Sequence, residues 1–195
     1  LLGNSDGLNM LKRLEPTPTL RRMHVTPNYF RQHKRWNFTG CDLIWNLISD
    51  PDQNPRTLKV AETLLADLGV PVLNPPGRIP DTQRCRQPER VGDLEGWIIP
   101  KTLRLSRPTP ERIRRQVEAT DFRFPAILRQ AGSHNGETVV LATSLDDLAP
   151  IHGDTRQDYY LTEFVDVRRA DGLYRKTRFF NVGDQTILRQ HIISD

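Results

Sequence analysis

The sequence predicts an α/β unit followed by an α+β module, that is, a small parallel sheet and then antiparallel strands. An apolar run at 41–49 and a short apolar segment at 70–73 flank a stretch with helical periodicity. This is the order of a parallel strand–helix–strand unit. In the second half, short strand-like segments alternate with turn residues and return as hairpins. We therefore expect an arm at 1–38, an α/β domain at 39–100 and an antiparallel domain at 101–195.

Local signals support each element of the parallel unit. The run CDLIWNLIS at 41–49 is typical of a buried strand. Asn54 suits the N-cap of the next helix and Pro55 its first position. Leucine and alanine then recur at helical spacing as far as Gly69, where we expect the helix to end. The second strand is predicted at 70–73, parallel to the first.

The antiparallel module shows a different pattern. Residues 97–105 predict a strand, and Thr109 followed by Pro110 predicts the start of a helix. The segments 124–129 and 138–142 predict a β-hairpin with a long tip that contains glycine. Three further strands are expected at 159–165, 173–180 and 185–193.

Composition excludes several classes of protein. The 195 residues include 28 Lys and Arg against 24 Asp and Glu, which gives a net charge of +4. The sequence has neither an apolar run long enough for a transmembrane helix nor the pattern of a signal peptide. Two cysteines without ligand spacing fit a reducing cytoplasm and argue against a disulfide or zinc scaffold. We expect a cytoplasmic protein without contact to a membrane.

The basic residues are mostly arginine, and this excess has two interpretations. One is a general bias towards arginine, with the guanidinium groups solvated or paired to acids. The other is phosphate recognition, because the planar guanidinium fork binds two phosphate oxygens at once. The charge is spread along the chain, whereas a nucleic-acid-binding protein carries a clustered stripe. Composition alone leaves both interpretations open.

The loop AGSHNG at 131–136 is the segment most typical of a ligand site. Small residues let backbone N–H groups approach a ligand closely, and successive amides can surround phosphate oxygens. The loop is not a Walker A motif, because Gly136 is followed by Glu and Thr and then by a strand. Arg129 lies where the preceding strand enters the loop, so its charge could meet the same phosphates. An ordinary hairpin tip remains the alternative.

Four segments in order, FPAILRQAGSHNG, YYLTEFVDV, DGLYRKTRFFNVGD and QHIISD, resemble the nucleotide-binding half of the ATP-grasp superfamily. The similarity is greatest to bacterial ATP-grasp proteins that are sometimes fused to tetratricopeptide repeats. SDPDQNPRTLKVAETLLADLGVPVLNPPG resembles their preceding domain, and TQRCR and IIPKTLRL resemble the connecting stretch. The resemblance covers about 40–195. It implies a pre-ATP-grasp domain and a truncated ATP-grasp lobe, as in an N-terminal fragment of a longer protein.

The resemblance implies the residues of an ATP site. Arg129 would contact the α- and β-phosphates. The loop that would close over the phosphates comprises Gly132, Ser133, His134 and Gly136. The hinge that would bind adenine comprises Glu163, Phe164 and Val165, with Asp166 near the ribose. From the residues alone, Glu163 has an equal interpretation as an edge-strand acid, and His134 has one as a hydrogen-bond partner within its own loop.

Alternation along the strand at 173–180 places Lys176 and Arg178 on one sheet face with two aromatic residues. The resemblance implies that these two cations face the γ-phosphate and the acyl-phosphate intermediate, as the catalytic residues. It also implies that His191 approaches the acceptor substrate. The alternatives are solvated cations at Lys176 and Arg178, and a core histidine at His191. Arg84 and Arg86 are interpreted as cations on a helix surface.

The function implied by this resemblance is that of an ATP-dependent ligase joining a carboxylate to an amine or a thiol through an acyl phosphate. ATP and Mg²⁺ would be the cofactors, with the metal ligands expected beyond residue 195, and a fragment without them would not complete catalysis. The substrate would be a small carboxylate or a peptide. The alternative is a non-catalytic module of the same fold that binds a protein partner or a second copy. Nucleic-acid binding is the third and least supported interpretation.

Overall fold

In the computed structural model, the described residues form a mixed α/β fold with three sheets. A two-stranded parallel sheet comes first, a four-stranded antiparallel sheet follows, and an antiparallel hairpin comes last. The predicted fold class is confirmed, since the parallel unit precedes the antiparallel strands. The structure describes residues 16, 18–32, 37–92, 94–133, 138–182 and 184–195.

The parallel unit follows a short helix, α1 (Tyr29–Gln32). It consists of β1 (Ile44–Trp45), α2 (Pro55–Leu65) and β2 (Val72–Leu73). The strands pair in parallel, with Ile44 opposite Val72 and Trp45 opposite Leu73. The strand–helix–strand order predicted from the sequence is therefore present.

Strand β1 is shorter than the predicted run at 41–49, and the side chain of Asn46 explains why. Its amide nitrogen donates to the backbone oxygens of Ile48 and Asn74, and its amide oxygen accepts from the backbone N–H of Ile48. The backbone N–H of Asn46 still donates to the oxygen of Leu73, and beyond it these side-chain bonds take the place of the strand ladder. The apolar run thus supplies two paired residues followed by an extended segment that a side chain stabilises.

The ends of α2 differ from the prediction. Asn54 is the N-cap residue and Pro55 the first helical residue, as expected, but the Asn54 side chain makes no cap hydrogen bond. The helix ends at Leu65 instead of continuing to Gly69. Asp67, with φ of 60°, already adopts the left-handed conformation, which a helix cannot contain.

Short helical turns connect the parallel unit to the antiparallel sheet. They comprise two 3₁₀ helices and one short α-helix, namely Pro76–Thr82, Arg84–Arg86 and α3 (Gln87–Val91). The polar stretch at 78–96 predicts partial helix around 82–86, and the structure confirms it.

The four-stranded sheet has the order β3-β6-β4-β5, with every neighbouring pair antiparallel. Its strands are β3 (Thr102–Ser106), β4 (Ala126–Gln130), β5 (Val140–Ala142) and β6 (Asp158–Glu163). Helix α4 (Pro110–Ala119) begins as predicted, because the Thr109 side chain accepts from the backbone N–H of Arg112. The predicted hairpin of β4 and β5 is confirmed.

One face of this sheet forms the main hydrophobic core. Helix α4 and the 3₁₀ helix Asp146–Ile151 supply Ile113, Leu148 and Ile151 to it. The remaining buried members are Leu103, Leu105, Phe122, Ala126, Leu128, Ala142 and Leu161. Since side chains alternate along a strand, the opposite face carries the residues between these positions.

That opposite face is polar at its centre. In the strand register, Tyr160 of β6 lies directly between Arg104 of β3 and Arg129 of β4. Strand neighbours are about 4.8 Å apart. The three side chains therefore form one row across the sheet, and this row positions the candidate site.

The last two strands, β7 (Tyr174–Val182) and β8 (Gln185–Ser194), form a hairpin with a bulge after Arg178. Most of its large apolar side chains are exposed, among them Phe179, Phe180, Ile187, Leu188 and Ile193. Across the ranges that the structure describes, no helix combines the length and apolar character needed to cross a membrane.

Candidate functional site

Arg129 is the partly buried cation at the centre of the candidate site. It lies on β4, one residue before the strand ends, and its Nη2 donates to the backbone oxygen of Ser133 at 3.0 Å. Burial lowers the pKa of Arg129, and the nearby positive charge of Arg84 lowers it further. Among the described residues no carboxylate forms an ion pair with it. An unneutralised guanidinium at a loop entrance is suited to an anionic ligand.

The loop beside Arg129 is held by its own hydroxyl groups. Ser133 Oγ donates to the backbone oxygen of Gln130 at 2.7 Å, and Thr138 Oγ1 donates to Ser133 Oγ at 3.0 Å. Thr138 Oγ1 also accepts from the backbone N–H of Gln130. These bonds close the neck of the loop and fix Ser133 next to Arg129. The predicted loop residues His134 and Gly136 lie outside the described residues.

Gly132 makes a close contact with the parallel unit. Its φ is 74°, and its backbone oxygen accepts from Gln53 Nε2 at 2.6 Å. A Cβ atom at this position would lie 2.8 Å from Gln53 Cγ. The loop is therefore seated against residues 52–53, which the sequence places in an unrelated turn.

Asp52 is the centre of a polar network that sequence reasoning missed. Its Oδ1 accepts from Tyr160 OH at 2.7 Å, Arg104 Nη1 at 3.0 Å and Gln83 Nε2 at 3.3 Å. Arg104 also donates through Nε and Nη2 to Asp158 Oδ2. Burial, followed by the hydrogen bond to Asp52, raises the pKa of Tyr160. The only sequence signal was the alternation that places Arg104 between two buried leucines.

Glu163 already has local partners. Its Oε1 accepts from the backbone N–H of Arg123 at 2.9 Å and lies 4.0 Å from Lys101 Nζ. The alternative that Glu163 is an edge-strand acid is wrong, because β6 has neighbours on both sides. The carboxylate therefore stabilises the segment leading into β4.

The residues after Glu163 begin the connection to the hairpin. The backbone N–H of Phe164 donates to the oxygen of Pro125 at 2.9 Å, and Val165 is partly buried. Asp166 is hydrogen-bonded to Arg168, which lowers the pKa of Asp166 to about 2. The ribose candidate thus carries an ion pair of its own.

The hairpin places the two predicted catalytic cations and the histidine predicted near the acceptor on opposite faces. Lys176 and Arg178 alternate with Thr177, which lies opposite His191 in the register. Thr177 Oγ1 and His191 Nδ1 are 2.9 Å apart. His191 is exposed, so the alternative of a core histidine is wrong. Because it lies on the face opposite to the two cations, the hairpin does not bring all three together.

The described residues contain no group of three or more histidine, cysteine, aspartate or glutamate side chains that could hold a metal ion. The candidate anion-binding groups are Arg129, with Arg84 within electrostatic reach, and the turn at Gly132. Arg84 was interpreted as a helix-surface cation, and its effect on the pKa of Arg129 places it within electrostatic reach of the site.

Comparison with known proteins gives a limited result. No protein-family model matches the sequence, and no curated protein matches it. Two solved structures are similar to it. The D-alanine–D-alanine ligase of Helicobacter pylori has a TM-score of 0.45 at 10% identity, covering 76% of this chain and 44% of that chain. The D-alanyl-alanine synthetase A of Vibrio cholerae O1 biovar eltor has a TM-score of 0.44 at 14% identity, covering 77% and 44%. The chain spans less than half the length of either protein.

Proposed function

We propose that the chain is the nucleotide-binding part of an ATP-grasp ligase and that Arg129 binds the phosphates of ATP. The observation that carries the proposal is the state of Arg129: partly buried, held by a loop carbonyl and unpaired with any described carboxylate. A partly buried arginine without a described acidic partner, next to a loop that contains glycine, supports phosphate binding. The ordered sequence segments that resemble the ATP-grasp superfamily support ATP as the nucleotide.

The other predicted residues take the following roles in this proposal. The amides of Gly132 and Ser133 contact the phosphates, together with the undescribed His134 and Gly136. The backbone of Phe164 and Val165 contacts adenine, with Glu163 and Asp166 nearby. Lys176 and Arg178 stabilise the charge on the transferred phosphoryl group, which is the main catalytic requirement in phosphoryl transfer.

The proposed reaction has two steps. A carboxylate oxygen of the substrate bonds to the γ-phosphorus while the bond from that phosphorus to ADP breaks. The nitrogen of an amine or the sulfur of a thiol then bonds to the acyl carbon, and inorganic phosphate leaves. We propose a small carboxylate or a peptide as the first substrate, with His191 near the acceptor.

Magnesium does not fit the described part of this site. Mg²⁺ prefers carboxylate and phosphate oxygens in octahedral geometry. Asp52 and Asp158 are the carboxylates on the polar sheet face, and both are bonded to Arg104. We therefore derive no catalytic step through a metal from these residues.

Nucleotide binding is the first test. We expect the chain to bind ATP in isothermal titration calorimetry, with and without Mg²⁺. Arg129→Ala should weaken binding roughly tenfold or more, because a charge-assisted hydrogen bond contributes about 1.5–3 kcal/mol. Arg178→Ala should weaken it as well. Arg123→Ala is the matched control, since that arginine is exposed and, among the described residues, its side chain pairs with the neighbouring Asp121 alone.

The same titration distinguishes the alternatives. Wild-type affinity in Arg129→Ala and Arg178→Ala would contradict the proposed phosphate site. No binding of ATP by the folded wild-type chain would favour the non-catalytic module. Salt-dependent binding of single-stranded DNA in place of ATP would favour the nucleic-acid interpretation.

A further inference from the structure

A second basic site lies at the outer edge of the sheet, where β3 meets helix α4. Strand β3 and helix α4 border an open groove of about 340 Å³, lined by Arg104, Ser106, Arg112, Arg115 and Gln116. Positions three and four apart on a helix share one face, so the three helix residues line the groove together. Arg129 is two strands away in the sheet order and does not line it.

The groove carries positive charge without a matching acid. Its lining contains no carboxylate. Arg104 is neutralised by Asp52 and Asp158 on the other side of the strand. Arg112 Nη1 reaches only the backbone oxygen of Arg107, at 3.4 Å, and among the described residues neither Arg112 nor Arg115 has an ion pair. Two exposed guanidinium groups are therefore free to bind an anion.

The edge of β3 supplies further donors. Glu163 N–H donates to the oxygen of Lys101, so positions 101, 103 and 105 bond to β6 and the even positions face outward. The bond from Gln116 Nε2 to the oxygen of Arg104, at 3.2 Å, agrees with this alternation. The backbone N–H of Ser106 therefore points away from β6, next to its own hydroxyl group.

We propose that this groove binds a phosphate group, free or carried by a small organic molecule, with Arg112 and Arg115 as its main ligands. The groove presents hydrogen-bond donors and positively charged side chains, so it favours an anionic ligand over a cationic one. The planar guanidinium fork matches two oxygens of a phosphate, and the volume holds a small molecule. The site is independent of ATP binding at Arg129. The competing role for these arginines is protection of an edge strand against pairing with another chain.

The test is an NMR titration of the isotope-labelled chain with inorganic phosphate, glycerol 3-phosphate and, as the uncharged control, glycerol. We expect saturable shifts of the amides of Ser106, Arg112 and Arg115 with the two phosphates and none with glycerol. Tighter binding of glycerol 3-phosphate would identify an organic phosphate as the ligand, and equal binding would identify free phosphate. Raising NaCl from 50 to 500 mM should weaken both, because salt screens exposed charges.

Variants assign the binding to named residues. Arg112→Ala and Arg115→Ala should each weaken binding about tenfold, and Arg112→Lys less, because it keeps the charge and loses the fork. Arg114→Ala is the matched control, since this residue lies on the other side of the same helix beside Glu111. All three arginine side chains are exposed, so the fold should persist in each variant, as circular dichroism can verify.

Three results would overturn the proposal. The first is no saturable shift with either phosphate. The second is unchanged binding in the double variant Arg112→Ala/Arg115→Ala. The third is equal weakening by Arg114→Ala, which would show a general charge effect. Dimerisation of the double variant without any phosphate binding by the wild type would establish edge protection instead. ATP binding at Arg129 should be unaffected by Arg112→Ala, so this site and the proposed nucleotide site fail separately.

Discussion

Two separate constraints act on Gly132, one from its backbone conformation and one from a neighbouring side chain. Its φ of 74° is a conformation that costs an L-residue about 1–2 kcal/mol. In addition, Gln53 occupies the space where a side chain would begin and bonds to the Gly132 oxygen. Glycine is therefore required both by the turn and by the contact with the parallel unit.

Gly132→Ala should lower the free energy of unfolding by about 2–3 kcal/mol, from backbone strain plus the lost hydrogen bond to Gln53. Gly153→Ala is the control, because its φ of 76° is nearly the same and nothing lies near its missing Cβ. That variant should lose only about 1–2 kcal/mol. Urea unfolding of both variants measures the difference. Equal losses would show that the contact with Gln53 contributes nothing.

The site residues show what a sequence can and cannot predict at this scale. The place of Arg129, at the end of a strand beside the loop, followed from a local pattern and is confirmed by the structure. The hydrogen bond that Tyr160 donates to Asp52 joins residues 108 positions apart. No local pattern encodes such a contact, since it depends on how the parallel unit docks on the sheet. The surroundings of the loop were therefore unpredictable from the sequence.

The four-stranded sheet and the terminal hairpin differ in how they are stabilised. Leu161, on the central strand β6, is fully buried, whereas Leu188 on β8 is 59% exposed. Burial of an apolar side chain contributes about 25 cal/mol per Å². The core of the antiparallel sheet therefore contributes far more stability per residue than the exposed face of the hairpin.

Leu161→Ala should destabilise the chain by about 2–5 kcal/mol, because it leaves a cavity in a packed core. Leu188→Ala removes the same atoms from an exposed position and should stay within about 0.5 kcal/mol. The two substitutions are chemically identical, so thermal and urea unfolding compare burial alone. A large loss in Leu188→Ala would mean that the hairpin face is covered in solution.

At the scale of elements, signals within a few residues of each other gave correct predictions. The cap of α4 by Thr109, with Pro110 first, is confirmed because both the cap and its partner are local. The predicted length of β1 was wrong, because the extent of strand pairing depends on a distant partner strand and on the bonds of Asn46. Helix α2 ends before the predicted residue because Asp67 adopts the left-handed conformation. The spacing of the apolar residues does not indicate that conformation.

Across the whole molecule, the parallel unit and the antiparallel sheet are joined by polar contacts. Asp52 and Gln53, in the turn before α2, bond to Arg104, Tyr160 and Gly132 of the sheet. The hydrophobic core of the sheet does not include the residues of α2. One aspartate therefore carries much of the connection between the two parts and also borders the proposed nucleotide loop.

Asp52→Asn tests this connection. The substitution keeps the shape and removes the charge, so it should lower the free energy of unfolding by about 1–3 kcal/mol through weaker bonds to Arg104 and Tyr160. Asp121→Asn is the matched control, because its ion pair with Arg123 is exposed and should contribute less than about 1 kcal/mol.

Hydrogen exchange locates the effect of Asp52→Asn. If Asp52 joins the two parts, the backbone amides of Asp52, Gln53 and Arg86 should exchange faster in the variant. Those of Leu103 and Leu161 in the sheet should keep their protection, because the core beneath them is unchanged. Uniform acceleration in both parts would instead show that the chain unfolds as one unit. Equal stability of the Asp52→Asn and Asp121→Asn variants would contradict the role of Asp52 altogether, since a mostly buried carboxylate with three donors would then contribute no more than an exposed one.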